Sequence, residues 1–356
     1  MRNFFTVLVL IGACWGLPAH AGDSSGPTRI AVQPFVTLPA DVRHPEGLAS
    51  NPKSGDLYVG TFDAREPASR RNNQVLRYSA SGKLLARHRF GADPLTGLAF
   101  AEGKLYILNF EASKLQRLDA DFTENSRVED LATFGPIEPA TVKPRVVANP
   151  DGSADDVVYG AAGFPAVNGM AFDAEMNLYV SDSFQGAVYR IDRATTCNPC
   201  GVSVVSRDPL LATAGALPFG ANGLAFGNQP GVLYVCNAGD NRLLQINLST
   251  GLVKVLSESL PGADGLMFHN GLLWVAANQA DEVLGIDENG LMRVRAGEFL
   301  GIAGDGTPRG LLFPASTAVS GKSMVVTNLA LPLTPAVGDE WEERVTRWNL
   351  VRFPLP

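Results

Sequence analysis

The sequence is poor in charge, cysteine, histidine and long apolar runs, and each shortage excludes a class of protein. Charged residues make up only 18% of 356, and acids outnumber bases 36 to 29. A net charge of −7 leaves no basic face to meet phosphates, which argues against a nucleic-acid partner. Four cysteines in so long a chain exclude a small disulfide scaffold. No paired-histidine zinc motif and no phosphate-binding loop occur. No apolar run approaches the ~18 residues of a transmembrane span. Glycine (37) and proline (24) are plentiful instead, alongside 46% hydrophobic residues. That mixture is too apolar for a disordered chain and too rich in turns for a helical one.

Residues 1–21 read as an export signal. Arg2 supplies the positive charge, Phe4 to Ala13 a short apolar run, and Ala19-His20-Ala21 a small-x-small cleavage pattern. The mature chain then begins at Gly22. A competing pattern, Ile11-Gly12-Ala13-Cys14, has the form of a lipoprotein box, with a lipid anchor on Cys14, although Trp15 is an awkward following residue. Either pattern predicts a periplasmic or secreted protein. In an oxidising compartment, Cys197 and Cys200 are expected to close a small disulfide in the turn Cys197-Asn198-Pro199-Cys200. A redox-active pair would need a strand-to-helix setting that is absent. Cys236, within Leu233-Tyr234-Val235-Cys236, reads as a buried strand residue.

One unit recurs along the rest of the chain. Its first run appears as Pro45-Glu46-Gly47-Leu48-Ala49, Thr96-Gly97-Leu98-Ala99-Phe100, Asn168-Gly169-Met170-Ala171-Phe172, Asn222-Gly223-Leu224-Ala225-Phe226 and Asp264-Gly265-Leu266-Met267-Phe268. A polar turn leads each time to a second run: Leu57-Tyr58-Val59, Leu105-Tyr106-Ile107, Leu178-Tyr179-Val180, Leu233-Tyr234-Val235 and Leu273-Trp274-Val275. Third runs follow, such as Val188-Tyr189-Arg190-Ile191-Asp192. A degenerate sixth copy starts at Pro314-Ala315-Ser316-Thr317, with Ser316 in the glycine place. The runs are short, β-branched or aromatic, and separated by turn residues, as strands are.

Repeats of about 40–50 residues with about four strands each specify a β-propeller. Six copies predict an all-β, six-bladed β-propeller, with residues 22–356 as one domain. The N-terminal run Ile30 to Phe35 is free to become the outermost strand of the C-terminal blade and close the ring. The third strand of that blade is expected around Val345–Leu350. Long insertions at Asp63–Asn73, Asp121–Val167, Arg295–Phe313 and Leu329–Glu343 are expected to crowd one face, where binding loops sit.

Inner strands line the central channel, so the residue before each glycine holds an equivalent place. Around the ring these are Glu46, Thr96, Asn168, Asn222, Asp264 and Ala315. Four are strong oxygen ligands, and two of those are carboxylates that balance a divalent charge. Calcium takes about 6–8 oxygens and mixes carboxylates with amide carbonyls and water. The ring holds neither cysteine nor histidine, which disfavours zinc and copper. Asp151-Gly152-Ser153-Ala154-Asp155-Asp156 hints at a calcium loop but lacks its sixth-position glycine and twelfth-position glutamate.

The repeating unit resembles the gluconolactonase, regucalcin (senescence-marker protein) and paraoxonase superfamily of six-bladed calcium propellers, over almost the whole mature chain. The resemblance implies a calcium site built from glutamate in the first blade (Glu46), asparagine in the third and fourth (Asn168, Asn222) and aspartate in the fifth (Asp264). It also implies hydrolysis of a small-molecule lactone or ester, with Asp264 as metal ligand and general base. One departure is Ala303-Gly304-Asp305-Gly306-Thr307-Pro308, which looks like an NHL-type repeat, found in propellers that often only bind. The alternative function is therefore a non-catalytic propeller that binds a protein, a sugar or a small ligand around a structural ion. Lyase or condensing chemistry is a third option, since strictosidine-synthase-like propellers use the same scaffold. His44, two residues before Glu46, is placed to reach the same face. Arg65, Arg70 and Arg71 form a basic cluster suited to an anion or to solvent. N-terminal sequencing of the exported protein is expected to start at Gly22, whereas an acylated Cys14 would establish the lipid anchor instead.

Overall fold

The computed structural model describes residues 26–139, 142, 144–157, 163–215, 217–334 and 337–356. Residues 1–21, read above as an export signal, and Cys14 within them lie outside the described residues. Among the described residues, no helix is long and apolar enough to cross a membrane. Six sheets carry the repeat, each with four antiparallel strands, and one of them gains a fifth, parallel strand at its edge. Their inner strands are Pro45–Ser50, Leu95–Ala101, Val167–Phe172, Ala221–Phe226, Ala263–His269 and Pro314–Ser320. Each inner strand contacts the next, and the sixth contacts the first, so six blades surround one axis.

The repeat motif has a packing reason at every letter. Strand side chains alternate faces. In the second strand of the first blade, Leu57 and Val59 face the sixth blade, while Tyr58 faces the second. The same division holds for Leu178 and Val180 against Tyr179. The tyrosines pack on the phenylalanine that ends the next inner strand. Ring centroids are 5.9 Å apart for Tyr58–Phe100, 5.0 Å for Tyr106–Phe172 and 5.2 Å for Tyr179–Phe226. The degenerate sixth copy has no such phenylalanine, and Trp274 packs instead on Phe353 at 5.6 Å. Six apolar clusters result, one between each pair of neighbouring blades.

The glycines explain the axis. In every blade the register between inner and second strand shifts at the ring residue and its successor, from Pro45/Leu48 to Pro314/Thr317. Such bulges re-aim a side chain. A Cβ added to Gly47, Gly97, Gly169, Gly223 or Gly265 would overlap the backbone carbonyl of Thr96, Asn168, Asn222, Asp264 or Ala315, respectively. Each glycine thus lets its strand touch the next blade's ring residue.

The N-terminal run and the last blade differ from expectation. The run is split: Thr28–Ile30 adds to the fifth blade in parallel with Met292–Ala296, and Gln33–Thr37 pairs antiparallel with Asn349–Pro354 of the sixth. The chain crosses between blades at Ala31-Val32, which divides one apolar run into two strands. The third strand of the last blade is Asn349–Pro354, not Val345–Leu350. Thr346 and Arg347 donate their N–H groups to Gly306 O at 3.1 and 3.2 Å, which ties this segment to a hairpin outside the sheet. That hairpin, Phe299–Ile302 with Pro308–Gly310, contains the NHL-like segment as its turn. Cys197 and Cys200 are joined by a disulfide, and Cys236 is buried.

Gly169→Ala is expected to cost about 1–3 kcal/mol or more, because rigid backbone must move. Gly201→Ala, with nothing near its added Cβ, should stay within about 0.5 kcal/mol. Urea denaturation of both variants measures the difference, and equal midpoints would refute the close-approach account.

Candidate metal centre at the propeller axis

Glu46, Thr96, Asn168, Asn222 and Asp264 all line the same two cavities, one on each side of the ring. All five are buried, none more than 7% exposed. Ala315 is also buried but offers no side-chain oxygen. Thr96 donates its hydroxyl to Val167 O at 2.8 Å. Asn168 donates its amide to Ser183 Oγ at 3.2 Å, which commits its nitrogen and leaves its carbonyl oxygen as the acceptor. Glu46 Oε2 is buried with no hydrogen-bond partner.

A second tier of side chains sits one residue beyond each second strand. Each of these residues donates its N–H to the residue before an inner strand or at its approach, as Phe62 does to His44 O and Asn278 to Gly262 O. Phe62, Phe110 and Leu329 occupy this place in the first, second and sixth blades, and Ser183, Ala238 and Asn278 in the third, fourth and fifth. Asn278 escaped the sequence reading. Its Nδ2 donates to Asp264 Oδ2 at 3.2 Å, and its Oδ1 is buried without a partner. The available signal was its place after Leu273-Trp274-Val275, matching Ser183 after Leu178-Tyr179-Val180. Gly262, at φ +62°, leaves the space that Asn278 Oδ1 fills, so no side chain fits there.

The ring is electrostatically uncomfortable as bare protein. Burial, and secondarily the neighbouring Asp264, push Glu46 well above the usual carboxylate range. Burial raises Asp264 to about 7, against the lowering effect of hydrogen bonds from Asn278 and Asn222. Two buried carboxylates, two amides and an orphaned oxygen suit a hard, oxygen-preferring divalent ion such as Ca2+. By chemistry of donor set, the residues present fit that ion.

Other residues singled out from the sequence serve elsewhere. His44 packs edge-on against Trp348 at 4.7 Å, and its Nδ1 lies 3.1 Å from Leu329 O. Burial pulls its pKa down to about 4, so it stays neutral and pins the first blade to the sixth. The arginine cluster is engaged by protein. Arg65 donates to Thr334 O at 3.0 Å, Arg70 pairs with Glu66 at 3.2 Å, and Arg71 pairs with Glu111 at 3.4 Å. Asp151 holds a local turn by accepting from Ser153 N at 2.9 Å.

The axis and blades invite comparison with known proteins. No family model matches the chain, and no curated protein matches it in sequence. Solved structures do match. A luciferin-regenerating enzyme superposes with a TM-score of 0.58 at 16% identity, covering 88% of this chain and 92% of that one. Regucalcin from Agrobacterium tumefaciens, described as a calcium-binding protein, gives 0.56 at 14%, covering 92% and 95%. Virginiamycin B lyase from Staphylococcus aureus gives 0.53 at 12%, covering 91% and 99%. The chain has the six-bladed fold of regucalcin.

Raised carboxyl pKa values mean that the folded chain binds protons the unfolded chain releases. Stability of the metal-free protein is then full at low pH and is lost as pH rises from the ordinary carboxylate value of ~4 through about 7. Thermal melts after chelation are expected to drop by several degrees between about pH 5 and 8. Excess calcium should abolish that drop. A chelated protein with a flat profile would refute the strained pair.

Proposed function

We propose that this chain is a calcium-dependent hydrolase that opens a lactone or a related ester at the propeller axis. The observation that carries this reading is the buried oxygen ring with the orphaned Glu46 Oε2. Glu46, Asn168, Asn222 and Asp264 would hold the ion. Calcium there supplies a positive charge that polarises a carbonyl oxygen and steadies negative charge as it develops. The fold shared with calcium-binding regucalcin supports the choice of ion.

Asp264 takes the proton of an attacking water at its carboxylate. The water oxygen adds to the carbonyl carbon, the ring C–O bond breaks, and the departing alkoxide recovers the proton. Lactone plus water thus becomes one hydroxy acid. Asn278, through its bond to Asp264 Oδ2, orients that carboxylate. Phe62, Phe219 and Phe313 line the mouth above and keep bulk water out. Export to the periplasm or beyond is part of the proposal, from residues 1–21.

A non-catalytic ligand-binding propeller is the second reading. It is favoured by the lining of the mouth, which among the described residues holds, beyond the ring and Asn278, only apolar side chains and no separate acid. Lyase chemistry has less support. The matched virginiamycin B lyase is catalytically inactive with one histidine replaced by alanine, whereas among the described residues no histidine lines either axial cavity here.

Metal content and lactone opening, measured on one sample with and without chelator, test the proposal. Bound calcium with no turnover selects the binding reading. Asp264→Ala should lose both calcium and about a thousandfold or more in rate. Asn278→Ala should keep calcium and lose about 10- to 100-fold in kcat. Parent-like rates in Asp264→Ala would overturn the assignment.

A further inference from the structure

Above the oxygen ring the cavity changes character. Its floor is Glu46, Thr96, Asn168, Asn222, Asp264 and Asn278, and every other lining residue among the described ones is apolar. Phe62 and Leu329 pack with Phe313 as a separate apolar cluster against which Phe110 and Leu331 rest. Phe110 joins this cluster to further aromatics: it lies 6.1 Å from Phe184 and 5.5 Å from Phe164, which is 39% exposed, and Phe184 lies 5.2 Å from Phe219. Leu333, 37% exposed, carries the apolar lining to the surface. Apolar walls therefore run from the ring to solvent. Among the described residues, no lysine, arginine or histidine lines this cavity.

That lining discriminates among small molecules. A hydroxyl buried against these walls would lose its water partners and find no replacement, a cost of about 1–3 kcal/mol each. An anionic body would meet no cation. An alkyl or aryl body would instead bury its surface against leucine and phenylalanine. We infer that the ligand of this site carries its carbonyl group at the ring and an unsubstituted alkyl or aryl body along the phenylalanine and leucine walls, and is not a polyhydroxylated sugar lactone. The position of the carbonyl rests on the hydrolase reading above, whereas the nature of the body rests on the walls alone.

Two ligand series separate these claims. One is γ-butyrolactone with γ-alkyl chains of increasing length, assayed for turnover beside δ-gluconolactone. The other is 2-alkylcyclopentanones, which carry the carbonyl but cannot be hydrolysed, titrated calorimetrically into the calcium-loaded and the chelated protein. Affinity of the ketones and kcat/KM of the lactones are expected to rise about three- to fourfold per methylene, until the chain leaves the walls. Gluconolactone should trail the best alkyl lactone by about a hundredfold. Leu333→Asn and Phe219→Asn, both at partly exposed positions, should each halve the gain per methylene in the ketone series. Two separate wall variants guard against misfolding of one, and melting curves identify it.

Ketone affinity that climbs with chain length while no lactone turns over would support this inference and overturn the hydrolase. Turnover with a flat ketone series, or with gluconolactone preferred, would overturn the inference and leave the hydrolase standing. A flat ketone series without turnover would sink both.

Discussion

The contact on which the structure depends is the one between each inner-strand glycine and the backbone carbonyl of the next blade's ring residue. Five glycines make it, and an added Cβ at any of them would overlap that carbonyl. Because the strands approach this closely, the ring residues share one small volume at the axis. The same bulge that places the glycine turns its predecessor inward. Packing and site are thus one feature: the blades meet closely enough to pack, and in doing so they gather Glu46, Asn168, Asn222 and Asp264 from distant parts of the chain.

That gathering opposes stability in the bare protein. Glu46 and Asp264 are buried together; burial pushes both toward the protonated form, and the charge of Asp264 adds to that push on Glu46. The amides of Asn278 and Asn222 relieve Asp264 only in part. Six interblade clusters surround the axis and hold the arrangement in place regardless. A cation held at the centre of the ring would relieve this cost, which the scaffold imposes.

The architecture was legible because its signals are periodic. The recurring X-Gly-Leu-Ala-Phe and Leu-Tyr-Val runs specify an inner and a second strand in each blade, and their spacing specifies six blades. The ring was legible for the same reason, since equivalent repeat positions become neighbours around an axis. Asn278 was not, because it lies in a tier that varies from phenylalanine to serine to alanine and shows no shared residue type. His44 was misleading. Its nearness to Glu46 in sequence put it on the same face, but its ring turns away to Trp348 and Leu329. Arg65, Arg70 and Arg71 cluster in sequence, and each meets a partner across the loop or in a neighbouring one.

Local repetition alone determined the all-β class, the number of blades and the identity of four axial oxygen donors, because period-two strands and equivalent repeat positions are properties of spacing. The apolar mouth, the pairing of Asn278 with Asp264, and the split of the N-terminal strand between two blades came only from the tertiary structure. Each of these joins residues from different blades or loops that no repeat relates, and their contact depends on how the loops fold back over the ring. Charge regulation at the axis belongs to the same group: a carboxylate's pKa follows from what surrounds it, and only the closed ring brings Glu46 to Asp264.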